Sequence, residues 1–312
     1  MRGHRPSRTA EHNALFRAIE SSRPPQERMI SDPIAFHFLD VPFRLTAFLS
    51  RSRAGRALLC RYIDNRWLGS RTSLIARTRW IDDYVTAAVA SGVRQIVLLG
   101  AGFDSRAYRI PGVDRAKFFE VDHPNTSVVK RSHVNRGLGT LPTRVKYVPV
   151  DFERQSVQRA LEDQDSGFDA TSRALFLWEG VSNYLTEESV RATLLFLSGL
   201  SPGTQLIFTY VDEGVILDPS AFKGGREVQG TFAKLDEPWT FGIRPDRAGA
   251  FFSECGLCLD SDLSAPEYRR LYYRDCERIK GYEFYHLVTA HVPSSEDRLR
   301  ASQIAEAQSA QS

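Results

Sequence analysis

Between residues 45 and 89, apolar positions recur at helical spacing. Leu45, Phe48, Leu49, Leu58, Leu59, Tyr62 and Ile63 return every three or four residues, with Arg51, Arg53, Arg56 and Arg61 on the positions between them. Ile81, Tyr84, Val85, Ala88 and Val89 repeat the pattern until Gly92 stops it. A basic amphipathic helix can lie on a membrane, but packing on a neighbouring domain is the commoner cause of one. We therefore read these helices as packed.

From Gln95 the period changes. Short apolar runs at Ile96–Leu99, Phe118–Val121, Val145–Val150, Ala174–Trp178 and Gln205–Val211 alternate with helical stretches. Near-continuous apolar strands separated by helices predict an α/β fold with a parallel sheet covered on both faces. Pro124 suits a first helical position, and Thr186 before Glu187 and Glu188 suits an N-cap with acids on the helix dipole. Leu257–Leu263 and Glu283–Val292 are two later strand candidates, with a helical stretch Pro266–Lys280 between them. The pattern divides the chain into a helical cap (1–92), an α/β domain (93–293) and a small polar tail (294–312). Residues 212–243, rich in Gly and Pro, read as an insertion, and long inserts in such folds are usually lids or binding loops. Its aromatic residues Phe222, Phe232, Trp239 and Phe241 are expected at an acceptor pocket.

Composition narrows the classes. With 312 residues, 42% hydrophobic and 25% charged, and a mean hydropathy of −0.32, the chain is neither disordered, collagenous nor a membrane bundle. The start, MRGHRPSRTAEH, has no apolar core of a secretory signal, so a cytoplasmic location is expected. A net charge of +3 is too weak to argue for nucleic acid. Only six of the 41 basic residues are lysines, so a single arginine carries little information. Cys255 and Cys258 have CxxC spacing, but no second pair completes a zinc site. The preceding Phe251-Phe252 and intervening Gly256 read as a helix ending in a glycine and turning into a strand. No metal is expected.

Three strand ends carry the chemistry. Gln95-IVLLGAGFDSR-Ala107 runs a strand into Gly100 and Gly102 before a helix, where glycines allow a sharp turn and close approach of a ligand. Ser105 stands where a dinucleotide fingerprint has its third glycine. The next strand ends Phe118-Phe119-Glu120-Val121-Asp122, with an acid some twenty residues past the glycines, where ribose hydroxyls are held. The third ends Val150-Asp151-Phe152, and the fourth Trp178-Glu179-Gly180. A carboxylate closing an apolar strand is costly without a partner. Three of them face the crevice where open α/β sheets bind ligands.

A nicotinamide cofactor accounts for Gly100, Gly102 and Asp122 but not for Asp151 or Glu179, and it sets a pyrophosphate among acids. S-adenosylmethionine carries no phosphate and has a sulfonium and an ammonium group. Asp122 then takes the ribose, Asp151 the adenine amino group with Phe152 against the ring, and Glu179 the cationic end.

LLGAGFDSRAYR, FFEVDHP, VPVDFE and LFLWEGVSNYL resemble the leucine carboxyl methyltransferase family, in particular its bacterial polyketide O-methyltransferase-like branch. Ser31-Asp32-Pro33, Ala76-Arg77-Thr78-Arg79 and Glu283-FYHLVTA-His291 extend the likeness over residues 8–292. The resemblance implies a class I methyltransferase sheet of seven strands, the last antiparallel, behind a helical cap. It implies cofactor contacts from Arg77, Gly100, Asp122, Asp151, Phe152 and Glu179. Arg77 would grip the carboxylate of the methionine moiety with paired donors, Arg79 being its rival, and Arg17 is a further basic candidate. Residues 212–243 resemble nothing in the branch that methylates a phosphatase, which favours a small-molecule acceptor over a protein; no nucleic-acid or membrane partner is expected.

Tyr184 and His123 are the residues able to serve as base or to orient an acceptor; His123 beside Pro124 also suits a helix opening. The leading expectation is an O-methyltransferase acting on a carboxylate or hydroxyl. A catalytically silent cofactor-binding module and a nicotinamide oxidoreductase are the alternatives. The sequence does not fix an oligomeric state.

Overall fold

Each apolar run becomes a strand of one sheet: β1 Gln95–Leu99, β2 Lys117–Asp122, β3 Val145–Pro149, β4 Leu175–Trp178, β5 Gln205–Val211, β6 Cys258–Ser264 and β7 Tyr285–His291. The computed structural model describes residues 8–152, 155–234, 238–274, 279 and 281–297. The strand order is β3-β2-β1-β4-β5-β7-β6. β1 to β5 pair in parallel, and β7 runs antiparallel to both β5 and β6. This is the class I methyltransferase arrangement that the resemblance implied. The order reverses between β1 and β4, which opens a crevice at the carboxyl ends of β1 to β4.

The helices are α1 Arg8–Ser21, α2 Val41–Leu49, α3 Arg53–Arg66, α4 Ser70–Ala90, α5 Arg106–Arg109, α6 Pro124–Leu138, α7 Val157–Glu162, α8 Glu187–Ser198, α9 Glu213–Leu217, α10 Gly225–Lys234, α11 Ala248–Glu254 and α12 Ala265–Arg270. Pro124 opens α6, and the Thr186 hydroxyl accepts from Ser189 N at the start of α8. α12 begins with a capping box between Ser264 and Glu267, and it is shorter than the stretch to Lys280 that the pattern predicted.

Side-chain alternation along β1 builds two cores. Ile96 and Leu98 join Phe118, Leu175, Leu177 and Ile207 on one face, packed under Ile81, Val85, Ala88 and Val89 of α4. Val97 and Leu99 join Phe119, Phe176, Trp178 and Phe208 on the other, under Val190 and Leu194 of α8 and Phe252 of α11. Burying each such side chain stabilises by about 1.5–3 kcal/mol. A third core holds the cap: Leu15, Ile19, Ile34 and Phe38 meet Leu74 and Ile75 of α4 and Phe103 from the glycine turn. Phe38 and Phe103 stack at 5.0 Å with ring planes 2° apart, so the cap is fastened onto the turn itself.

Packing accounts for α4 but not for the expected stripe before it. Ile63 is buried, whereas Leu45, Phe48, Leu49, Leu58 and Tyr62 are exposed. Helical spacing reports which residues share a face, not whether that face meets protein or water. Cys255 is buried at the end of α11, Gly256 takes φ +77°, and Cys258 opens β6, as the pattern predicted. Cys276 lies outside the described residues.

Candidate functional site

The turn after β1 needs both glycines. Gly100 and Gly102 have φ of +66° and +40°, and a Cβ on Gly100 would stand 2.4 Å from Val181 Cγ2. Gly100 N and Ala101 N donate to Val121 O, tying the turn to β2. Asp122 closes β2 and reaches across: it accepts from Gly102 N and, at 2.6 Å, from His123 N. Burial pushes the Asp122 carboxyl up, and the two N–H donors counter this. The Gly102 N–H is thus directed to a carboxylate of the protein itself. His123 Nδ1 accepts from Asn125 N at 3.2 Å, which makes it the opening residue of α6.

Beneath the turn, Glu120 and Lys130 form a fully buried ion pair at 2.9 Å. Lys130 Nζ also donates to Ala101 O at 3.2 Å, Tyr108 OH donates to Glu120 at 2.8 Å, and Tyr108 meets Tyr147 at 3.0 Å. The sequence hints at this chain twice, through an acid inside an apolar strand and one of only six lysines.

Across the crevice, Glu179 at the end of β4 is held by two arginines: Arg77 Nε at 2.7 Å and Arg106 Nη1 at 2.8 Å. Burial alone would raise the Glu179 carboxyl, but Arg106 and Arg77 outweigh it and hold it below its ordinary value. The two rival arginines are placed differently: Arg77 is buried, while Arg79 pairs outward with Asp83 at 2.9 Å. The Arg77 guanidinium also lies 4.7 Å from the centre of the Tyr285 ring. Tyr285 OH is 3.7 Å from where a Cβ on Gly180 would stand, and Gly180 N donates to Thr209 Oγ1 at 2.8 Å. Tyr268 and Tyr282 complete the surroundings of Arg77; burial raises both phenols. These three tyrosines were not legible beforehand, because aromatic residues beside a strand look like core.

The stretch after the turn anchors the cap through charge. Arg106 binds Asp104 and, at 2.9 Å, Asp82; Arg109 holds Asp82 at 2.6 Å. Asp32 accepts from Arg17 Nε at 2.8 Å and from the Ser105 hydroxyl, and Arg17 also donates to Phe103 O. Ser105, where a third glycine would stand in a dinucleotide fingerprint, is a tether to the cap. For Asp104, burial raises the carboxyl but Arg106 and Lys130 win, holding it at about 2 against an ordinary 3.8. A depressed carboxylate contributes stability that is whole above its unfolded pKa and is lost as pH falls through the folded one. Asp104→Asn is therefore expected to cost about 2 kcal/mol at pH 7, a difference from wild type that closes between about pH 4 and pH 2 in urea unfolding at stepped pH.

The remaining expected residues lie at the same end of the sheet. Asp151 is half-buried one residue beyond the Val150 N–H bond to Asp122 O, and its own N–H donates to Gln155 Oε1 at 3.1 Å. Phe152 is half-buried against the second core. Tyr184 ends the single turn 182–184 and packs, half-buried, on the first core. Trp239 and Phe222 pack on Phe284 in the first core at 5.8 and 6.2 Å, and Phe241 packs on Phe251 in the second at 5.8 Å. These aromatics anchor the segment 212–243, Trp239 and Phe222 on Phe284 just before β7 and Phe241 on Phe251 of α11. The Phe232 side chain lies outside what is described. Among the described residues, no group of three or more His, Cys, Asp or Glu is placed to hold a metal ion.

A family model described as leucine carboxyl methyltransferase matches residues 10–198. A protein of Frankia alni, designated an S-adenosyl-L-methionine-dependent methyltransferase, is 34% identical over 209 residues, covering 67% of this chain and 70% of that protein. One of the same designation from Mycobacterium sp. strain KMS is 40% identical over 150 residues, 47% of this chain and 46% of its own, so the chain matches about half the length of some relatives. Among solved structures, a methyltransferase from Thermobifida fusca superposes with a TM-score of 0.57 at 18% identity, covering 80% of this chain and 94% of that one. A DUF574 family protein from Streptomyces avermitilis gives 0.56 at 16%, covering 80% and 96%. At such identities the two structures show the fold alone.

Proposed function

We infer the acceptor chemistry from one premise: this chain belongs to the leucine carboxyl methyltransferase family and is an S-adenosylmethionine-dependent methyltransferase. That excludes the nicotinamide alternative. The donor set fits the methyl donor on physical grounds. A buried guanidinium beside a half-buried carboxylate, Arg77 with Glu179, is the complement of an amino-acid zwitterion. Arg77 would hold the carboxylate of the methionine moiety, Glu179 its ammonium, Asp122 the ribose hydroxyls, and Asp151 and Phe152 the adenine. Gly100 and Gly102 would shape the turn beneath it. When bound, S-adenosylmethionine supplies a methyl group on a sulfonium, open to direct displacement.

The acceptor we propose is the carboxylate of a small molecule. The observation that carries this is the set of tyrosines about Arg77, Tyr268, Tyr282 and Tyr285: a phenol with its ordinary pKa of about 10 is protonated near pH 7, and burial pushes Tyr268 and Tyr282 higher still. Protonated phenols donate hydrogen bonds and do not take protons. With Tyr184 on the same core, they suit an anionic oxygen that arrives already ionised, since a carboxylic acid has a pKa of about 4. Holding such an oxygen in line and excluding water can supply much of the rate. His123 Nδ1 is engaged at the start of α6, which supports a helix-opening role for it over that of a base.

Incubation with tritiated methyl donor and a panel of acids and phenols is expected to label an acid. The label should be released as volatile methanol in mild alkali, and the rate should stay nearly flat from roughly pH 6.5 to 8.5, because no essential base titrates there. An alkali-stable ether with a rate climbing with pH would show a hydroxyl acceptor instead. Cofactor binding without any labelled product would restore the silent module.

A further inference from the structure

α2 and α3 carry more unpartnered apolar surface than the rest of the described chain. Val41, Leu45, Phe48 and Leu49 on α2, and Leu58 and Tyr62 on α3, are each between 57% and 73% exposed. Spacings of four, seven and eight residues put the first four on one side of α2, and Leu58 and Tyr62 lie one turn apart on α3. Three residues join the two helices. Exposed apolar side chains in such a cluster mark an interaction surface.

Charge identifies what it meets. Residues 41–66 contain six arginines and a single acid, Asp64. Arg51, Arg53, Arg61 and Arg66 are exposed, whereas Asp64 is half-buried and bound to Arg71 at 2.6 Å. Apart from Asp40, the exposed N-cap of α2, the exposed charge of this hairpin is positive. Arg51 lies 5.0 Å from the centre of the Phe48 ring and Arg66 5.5 Å from that of Trp67, so cationic heads sit directly beside the apolar surface.

We propose that the α2–α3 face docks on an anionic lipid bilayer, with the six apolar side chains at the headgroup–acyl boundary and the arginines on the anionic headgroups. This combination is the one that holds amphipathic helices in a membrane interface. A second copy of the chain fits worse, because a two-fold contact would set four exposed arginines against four with a single exposed acid, Asp40, among residues 40–66 of each copy. Nucleic acid would use the charge but not six large apolar side chains. The chain's own C-terminal segment 298–312 has only Leu299 and Ile304 as large apolar residues, too few to cover the face. Among the described residues no helix is long and apolar enough to cross a membrane, so contact is along the surface. The inference is independent of the acceptor proposed above.

The test is sedimentation of the full chain with large vesicles of phosphatidylcholine alone and of phosphatidylcholine with phosphatidylglycerol. We expect binding to the second only, weakening with salt. Leu45→Glu with Phe48→Glu should lower it about tenfold or more, and Arg53→Glu with Arg61→Glu by a similar factor, at about fivefold per arginine. All four positions are exposed, so thermal melts should match wild type. No sedimentation with anionic vesicles overturns the proposal, as does equal binding to both vesicle types or indifference to either pair of substitutions. Concentration-dependent dimers that Leu45→Glu with Phe48→Glu abolishes, without vesicle binding, would assign the face to a second copy instead.

Discussion

Asp122→Ala is expected to weaken S-adenosylhomocysteine binding by roughly a hundredfold or more while leaving the protein folded. The carboxylate sits at the end of β2, opposite the glycine turn, already oriented by the N–H groups of Gly102 and His123. An ionised acceptor contributes roughly 1.5–3 kcal/mol per hydrogen bond, and a ribose offers two hydroxyls, so losing both amounts to two or more powers of ten. The two backbone donors can turn to water at this half-buried position, so the stability cost should stay near 1–2 kcal/mol. Titration calorimetry alongside a thermal melt separates the two effects. Wild-type affinity in the folded variant would remove Asp122 from the site and leave the glycine turn without a counterpart across the crevice.

How much of this was legible in the residues depends on what each residue costs where it stands. Asp122 and Glu179 end apolar strands, where packing offers a carboxylate nothing, so the pattern alone singles them out. The five inner strands, β1, β2, β4, β5 and β7, were readable for a related reason: a strand buried on both faces has to be largely apolar. Arg77 was different. In a chain whose basic residues are nearly all arginine, only the family resemblance picked it over Arg79, and the structure then placed one inward on Glu179 and the other outward on Asp83. Ser105 looked like a missing glycine, because its role depends on Asp32, seventy-three residues away in sequence. Tyr268, Tyr282 and Tyr285 were invisible, since an aromatic beside a strand is core until a guanidinium is found against it. The exposure of the stripe on α2 and α3 and the burial of the aromatics of residues 212–243 were not legible, for one shared reason. Periodicity and composition describe a segment by itself, while burial is decided by what lies opposite: nothing described in the first case, Phe284 and Phe251 in the second.

The largest effect on stability is expected at Lys130. It is 1% exposed, as is its partner Glu120, and its ammonium also holds the Ala101 carbonyl of the glycine turn. Lys130→Met keeps the volume and the apolar stem but leaves a carboxylate buried without its cation, a change that costs about 3–5 kcal/mol. The loss should depend on pH in a definite direction. Burial already pushes the Glu120 carboxyl up, with Lys130 pulling it down, so removing the lysine raises it further. A carboxyl raised in the folded state favours folding while protonated, and that advantage fades as pH rises through the folded pKa. Lys130→Met should therefore be most damaging at neutral pH and partly recover on acidification. Adding Glu120→Gln removes the stranded charge and leaves Tyr108 a neutral acceptor, so the double variant should regain most of the loss at pH 7. Urea unfolding of the two single variants and the double, at pH 7 and pH 5, measures the coupling directly. A Lys130→Met protein as stable as wild type, or a double variant no better than the single, would mean that the pair does not hold the floor of the glycine turn. The site's geometry would then have to rest on the Asp122 bridge and the arginine network alone.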